Sequence, residues 1–475
     1  MTTTPDQIRR RRHRNERILA ATVVLIVAAG VAAMMIYNRI ENEKIRKELT
    51  YVPKHTRFTP ELELLRQYIR IDTSNPPGNE KAGAEWLAGI LRQSGVEAEI
   101  IEPAPRRASV YARIKGERSD GGLLLLHHID VVPASAEGWK RPPFSGEIHL
   151  NEVYGRGALD MKATGICHLT AFLDVARSGR TPRYDLVFLA VADEESGGTW
   201  GTRWLRDNRP DVLAGVRYAI NEGGITEMKQ EQVTYFGIEV GTKQTVSVIV
   251  GAHTREQLQR LRIHLEPWFI RREPERVMPE IKRFFRDIAP HRLDFRDELQ
   301  DIDAAIAGGH FWRLPIGYRE LTYNLVFAEG VKPRPSGAGF EMRTVMINLP
   351  DEDPDARIGW LREQGKPFGA TIDSIVRKEG PVPITSDQTP FYALLRSEAE
   401  QFFRAPAGME ILNSTFNDSR FLRQIGIAAY GVNLFGVDYF QSATIHRADE
   451  RIRTDYFNDG VVFTQRLVRA YLFPK

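Results

Sequence analysis

Residues 123–130 read Leu123-Leu124-Leu125-Leu126-His127-His128-Ile129-Asp130, an unbroken apolar run that ends in metal-ligand side chains. The pattern recurs. Residues 186–191 run into Asp193, Glu194 and Glu195, and residues 216–220 run into Asn221 and Glu222. Between the first two runs lies Gly155-Arg156-Gly157-Ala158-Leu159-Asp160, and far downstream sits His446-Arg447-Ala448-Asp449-Glu450-Arg451. Ligands of open α/β sheets bind outside the carboxyl ends of the strands. Several strands carrying His, Asp and Glu at that edge therefore point to one shared metal site.

The segments around these runs alternate. Thr59-Pro60 opens a helix, with Thr as N-cap and Pro at the first helical position, and Asn75-Pro76-Pro77-Gly78 ends it. Helices are expected over residues 80–94, 164–176 and 200–208, and further strands over 96–101 and 110–114. This β/α alternation predicts an α/β catalytic domain, a mostly parallel sheet flanked by helices. After Glu222 the character changes. A strand at 244–250 and a helix at 254–265 lead into a charge-rich, weakly patterned stretch over 266–320. Strands return at 321–327 and 340–348, followed by a helix at 355–364 and a strand at 371–377. Helices at 390–403, 417–424 and 455–471, with a strand at 427–432, complete the chain. The catalytic domain is thus expected in two parts, 56–241 and 353–475, interrupted by an inserted α+β lid domain over 242–352.

A length of 475 residues suits two domains with appendages rather than one small core. The composition is globular, 42% hydrophobic and 27% charged. The single cysteine, Cys167, rules out an intrachain disulfide framework and reads as a packing residue of the 164–176 helix. The net charge of +3 belongs to the N-terminus: beyond residue 44 there are 57 of the 65 basic residues against 58 of the 62 acidic ones. A nearly neutral body excludes a nucleic-acid surface.

Arg9–Arg12, Arg14 and Arg17 precede residues 18–37, a run of 20 without a charge. At ~1.5 Å per residue, such a run spans roughly the 30 Å hydrocarbon core of a bilayer. It exceeds the apolar region of a signal peptide, the competing reading, so an N-terminal transmembrane helix is expected. Positive flanks stay cytoplasmic. Residues 1–17 become a basic cytoplasmic tail, 38–55 a polar stalk, and the remainder extracytoplasmic, periplasmic or luminal.

A dinuclear zinc hydrolase needs His nitrogens and carboxylate oxygens around two close metals, a bridging carboxylate, and a further carboxylate that moves the proton. His128 is a candidate ligand, and Asp130 lies two residues on, placed to fix the other imidazole nitrogen. Asp160 sits in a glycine-flanked loop. Glu194 and Glu195 are adjacent and point differently, which suits one base and one ligand.

In these segments the chain resembles the zinc peptidases and deacylases that include aminoacylase, acetylornithine deacetylase, succinyl-diaminopimelate desuccinylase, carnosinase and carboxypeptidase S. The matching stretches are His128-Ile129-Asp130-Val131-Val132-Pro133, Trp139 through Pro142-Pro143-Phe144-Ser145-Gly146, and Tyr154-Gly155-Arg156-Gly157-Ala158-Leu159-Asp160-Met161-Lys162. Asp193-Glu194-Glu195-Ser196-Gly197-Gly198, Asn221-Glu222-Gly223-Gly224, Asn417-Asp418-Ser419-Arg420-Phe421 and His446 through Ile452 complete the series. The long insert is most similar to the carboxypeptidase S-like, N-acyl-amino-acid hydrolase branch, itself commonly membrane-tethered.

The resemblance implies that His128 and Glu222 hold one Zn2+, that Glu195 and His446 hold the other, and that Asp160 bridges them. It makes Glu194 the general base and acid and Asp130 the residue that orients His128. It also implies a cis peptide after Asp160 and a possible homodimer through the lid. Co2+ or Mn2+ could use the same ligands. The lid departs from the family pattern. His253 stands near the place of an oxyanion-stabilising histidine, and Ile347 replaces the arginine that grips a substrate carboxylate, with Arg334 and Arg343 as candidate substitutes. His127 occupies a position where a small residue is usual, and packing at the strand end is its expected role. The expected function is a membrane-anchored dizinc peptidase or amidohydrolase, of carboxypeptidase or aminoacylase type, acting on small peptides or N-acyl amino acids. The alternative is a catalytically silent metal-binding scaffold or binding protein with an altered lid.

Overall fold

The computed structural model describes residues 57–229, 231–269, 274–378, 380–412 and 417–474. The expected tail, membrane span and stalk lie outside the described residues. Among those described, no helix is long and apolar enough to cross a membrane.

The three apolar runs are neighbours. Arg118–His128 lies between Tyr184–Val191 and Val216–Asn221, parallel to both. Ala428–Val432 adds a fourth parallel strand beyond Val216–Asn221. Antiparallel pairings flank this parallel centre, with Arg107–Ile114 and Ala98–Ala104 on one side and Gln232–Thr242 on the other.

Side chains of a strand alternate between faces, so the Leu123–Leu126 run feeds two cores. Leu123 and Leu125 join Leu186 and Phe188 in a core with Leu65, Ile166 and Phe457 from three helices. Leu124 and Leu126 join Val187 and Leu189 in a second core with Leu205 and Leu422. Each leucine is fully buried, a contribution of roughly 1.5–3 kcal/mol apiece. That double burial is why the run carries no polar alternation, and it leaves the strand ends as the first place where His128 can meet a ligand.

A second, antiparallel sheet has the order Leu325–Ala328, Phe340–Asn348, Gln244–Ala252, Thr371–Lys378. Helices Arg255–Phe269 and Pro354–Gly365 cover one of its faces, with Val246, Val248 and Val250 against Leu258 and Leu261. The sheet reaches past residue 352, because Thr371–Lys378 is its edge strand and most of its side chains are exposed. The weakly patterned stretch differs too. Helix Pro279–Ile288 buries Ile281, Phe284, Phe285 and Ile288, and with Leu299, Leu314 and Leu321 it packs into the first core. Its neighbours are single turns, too short to show a period.

A three-stranded sheet joins Glu147–His149, Glu152–Tyr154 and Arg451–Arg453. It pins the segment after His446 against the Gly155–Asp160 loop, where Gly155 N–H donates to the Glu450 carbonyl at 2.9 Å.

Candidate metal centre

His128 ends its strand with Nδ1 2.9 Å from the backbone carbonyl of Asp130. A carbonyl only accepts, so Nδ1 carries a proton, and Nε2 is the nitrogen turned toward the carboxylates. Nε2 faces Asp160 Oδ1 at 3.0 Å and Glu222 Oε2 at 3.6 Å. The other oxygen of Asp160, Oδ2, stands 3.0 Å from His446 Nε2, which is also 3.2 Å from Glu195 Oε2. Asp160 thus offers one oxygen toward each imidazole. Possible ligand atoms of His128, Asp160 and Glu195 lie within 4.8 Å of one another, and so do those of His128, Glu194 and Glu222. The peptide between Asp160 and Met161 is cis.

The Asp130 carboxylate does something other than expected. It stands 3.6 Å from His128 Nδ1 and instead accepts the backbone N–H of Glu194 at 3.2 Å and of Glu195 at 3.1 Å. The imidazole contact belongs to the carbonyl; the carboxylate holds the glutamate pair. That pair sits in a tight turn after Asp193, whose φ is 71°. Glu222 is held on a Gly-Gly turn. A Cβ on Gly224 would lie 2.3 Å from the Gly237 carbonyl, and Ile225 N–H donates to Glu410 Oε2 at 2.7 Å.

Asp160, Glu194, Glu195, Glu222 and His446 line a cleft of 620 Å³ together with Asn417, Phe435 and Arg377 of the second sheet, while His128 and Asp130 are buried beneath it. A larger depression of 1260 Å³ along the sheet edge at Glu97, Glu99 and Arg113 has no convergent donor set. In the cleft, burial and the facing Glu222 push the Glu194 carboxyl well up. Burial and the nearby Asp160 raise Glu195, and burial lifts Glu222 to about 7. Burial acts on Asp160 in the same sense, yet hydrogen bonds from His128 and His446 hold it low. Four carboxyl groups crowded this closely call for positive charge. Glu194 Oε1 and Glu195 Oε1 are buried without a hydrogen-bond partner among the described residues. Such lone pairs, mixed with imidazole nitrogen, fit a divalent metal of the zinc type.

The structure gathers His128, Asp160, Glu194, Glu195, Glu222 and His446 at one cleft. It does not bring the proposed lid residues there. His253 is exposed and outside the cleft lining. Arg334 pairs with Asp373 at 2.6 Å, and Arg343 donates to Ser247 Oγ at 2.9 Å. The arginine that does line the cleft is Arg377, which sequence reasoning passed over. His127 is fully buried, 3.4 Å from Tyr68 Oη and packed beside Phe188. Cys167 is buried as well.

Two supports were also missed. Glu450 is buried and accepts from Leu159 N–H at 2.9 Å, Asp160 N–H at 3.1 Å and Arg156 Nη1 at 2.6 Å, so it braces the Asp160 loop. Lys162 is buried and donates to the carbonyls of Tyr68 at 3.0 Å and Ile71 at 2.7 Å, tying the first helix to that loop. Both fall inside stretches that match the family, but a charged residue there gives no sign in sequence that it is buried.

Hard-to-pair buried carboxylates, one imidazole at the end of a parallel strand and a second from the loop before Arg451–Arg453 define the class: a metallohydrolase. The particular family follows from comparison. The chain belongs to peptidase family M20/M25/M40, whose model matches residues 124–470. Aminoacylase-1 of Sus scrofa is 26% identical over 428 residues, covering 86% of this chain and 94% of its own length. A succinyl-diaminopimelate desuccinylase of Gluconacetobacter diazotrophicus is 34% identical over 147 residues, covering 30% of this chain and 37% of its own. In structure, an M20 family metallo-carboxypeptidase from Sulfolobus solfataricus superposes with a TM-score of 0.69 at 19% identity, over 87% of this chain and 99% of that one. The protein is a metal-dependent hydrolase of amide or peptide bonds.

Proposed function

We propose that the protein is a membrane-anchored dizinc hydrolase of small peptides or N-acyl amino acids. The observation that carries this reading is Asp160, with one oxygen 3.0 Å from each of two imidazoles that have their own carboxylates. His128 with Glu222 would hold one ion and His446 with Glu195 the other, with Asp160 shared; Co2+ or Mn2+ would suit the same donors. When bound, the ions would bring the pKa of a water toward neutrality and polarise the scissile carbonyl.

The chain's own residues account for the proton. Glu194 Oε1 has no other partner among the described residues, and a raised pKa lets the carboxylate accept a proton and release it again. It takes a proton from the attacking water as the new C–O bond forms. It gives that proton to the leaving nitrogen as the C–N bond breaks. Asp130 keeps Glu194 in place through its backbone N–H. Arg377, which lines the cleft, would bind a substrate carboxylate, in keeping with an acylated amino acid or the end of a short peptide.

The six arginines ahead of the uncharged residues 18–37 support an anchor, with the catalytic domain on the extracytoplasmic side. The open edge of the second sheet at Thr371–Lys378 supports pairing of two copies through the lid. The test is a panel of dipeptides and N-acyl amino acids, run with metal analysis on the wild type and Glu194→Gln. The variant should keep two ions and lose about 10²–10⁴-fold in kcat. A Glu194→Gln enzyme as fast as wild type would overturn the mechanism.

A further inference from the structure

Behind the metal cleft, a buried cluster links separate elements to the turn that carries Glu194 and Glu195. Arg107 pairs through Nη2 with Asp193 and stands 2.7 Å from Glu80 Oε1. Its Nη1 donates to Asn75 Oδ1 at 3.1 Å. From Nδ2, Asn75 donates in turn to Asp130 Oδ2 at 2.9 Å and to Asp193 Oδ1 at 3.1 Å. Glu80, Asn75, Asp130 and Asp193 are all buried. The guanidinium N–H groups aim at Asn75 and Asp193, so Glu80 is in ion-pair contact without an aligned hydrogen bond. The fit is close, because a Cβ on Gly78 would fall 2.2 Å from Arg107 Nη1.

We propose that Asn75 and Arg107 are positioning residues for the base and ligand pair. Asp130 grips the backbone of Glu194 and Glu195, and Asp193 is the residue from which their turn begins. These two carboxylates repel each other, and one amide group of Asn75 bridges them. Arg107 supplies the counter-charge that lets Glu80 and Asp193 stay buried beside Asp130; an unpaired buried charge is strongly unfavourable. Neither residue touches the reacting atoms. Their effect reaches the cleft through the placement of two side chains, in the way supporting partners orient metal ligands.

The inference rests on the roles proposed for Glu194 and Glu195, so its test reads metal binding apart from turnover. The full-length protein carries Asn75→Asp, which keeps the shape but turns the bridging donor into an acceptor. A second variant, Arg107→Met/Glu80→Gln, removes the guanidinium together with one of the two carboxylates it would strand, leaving Asp193 the donors Asn75 Nδ2 and Trp200 N–H. Arg107→Lys is the conservative partner, and Glu195→Gln is the control. Zinc affinity is measured by competition with a chromophoric chelator, thermal unfolding reports the fold, and kcat and KM are determined separately.

Folded Asn75→Asp and Arg107→Met/Glu80→Gln should bind one of the two ions about 10–100-fold more weakly. Their kcat should fall while KM changes little, and Arg107→Lys should recover part of the affinity. Wild-type affinity and kcat in both variants, even with lower thermal stability, would make the cluster merely structural and overturn the proposal. A Glu195→Gln control that keeps both ions would overturn the ligand assignment and the proposal with it.

Discussion

Replacing Glu450 asks whether the Asp160 loop depends on support from behind. Glu450 is fully buried, and its two oxygens receive three donors: the N–H groups of Leu159 and Asp160 and Arg156 Nη1. Glu450→Ala strands the buried Arg156 guanidinium. Breaking a buried pair in this way costs about 3–5 kcal/mol, a large share of the roughly 5–15 kcal/mol that keeps a protein folded. Glu450→Gln is gentler. It retains an acceptor for the two N–H groups but sets an amide NH2 against Arg156, forfeiting a charge-assisted bond worth about 1.5–3 kcal/mol. Urea unfolding should show that loss, and chelator competition should show zinc affinity lowered ~10-fold or more as Asp160 is released. Arg156→Met/Glu450→Gln should regain stability without regaining affinity. A Glu450→Gln protein with both the unfolding midpoint and the zinc affinity of wild type would refute the bracing role.

Four more outcomes are expected. Chelation should lower the thermal midpoint, since ligand at a hundredfold excess over Kd stabilises by about 2.7 kcal/mol; Glu222→Gln should reduce bound zinc from two ions to one by elemental analysis. Arg377→Met should lower kcat/KM about 10–100-fold for substrates with a free carboxylate, the loss of a charge-assisted contact, and should spare their amidated analogues; equal effects on both would remove Arg377 from recognition. Burial lowers the Lys243 ammonium to about 7 from 10.5, although the carbonyls of Glu320 and Tyr323 accept from it. Between those values the unfolded chain binds more protons than the folded one, so Lys243 contributes a rise in stability with pH across that window. Lys243→Met should flatten the rise in urea titrations, and an unchanged slope would count against the buried charge.

The parts of the fold that could be read from sequence are those where burial is regular. Leu123–Leu126 is apolar at every position because both faces are covered, and the ligands follow at the strand ends. Asp130 was harder. Its place beside His128 was legible, but the division between a carbonyl for the imidazole and a carboxylate for the glutamate turn depends on how the chain bends after the strand. Asn75, Arg107 and Glu450 sit in irregular or mixed-charge segments, and they meet partners up to 294 residues away in the chain. No local period marks such contacts. Thr371–Lys378 reads as a strand, but an edge strand with exposed side chains gives no sign of which sheet it joins. Arg377 escaped notice for the same reason.

The distance in sequence between the two imidazoles has a consequence for how the protein is made. His128 and His446 are 318 positions apart, and ribosomes add about 5–20 residues each second, so His446 emerges roughly 16–64 s after His128. Through that interval Asp160 has neither the second imidazole nor Glu450 behind its loop. A nascent chain can build the parallel strands early, but it cannot assemble the full donor set before His446 has been added. With His446 as a ligand, hydrolytic competence would arrive only after that residue is in place, and chains released before it would be inert rather than indiscriminate.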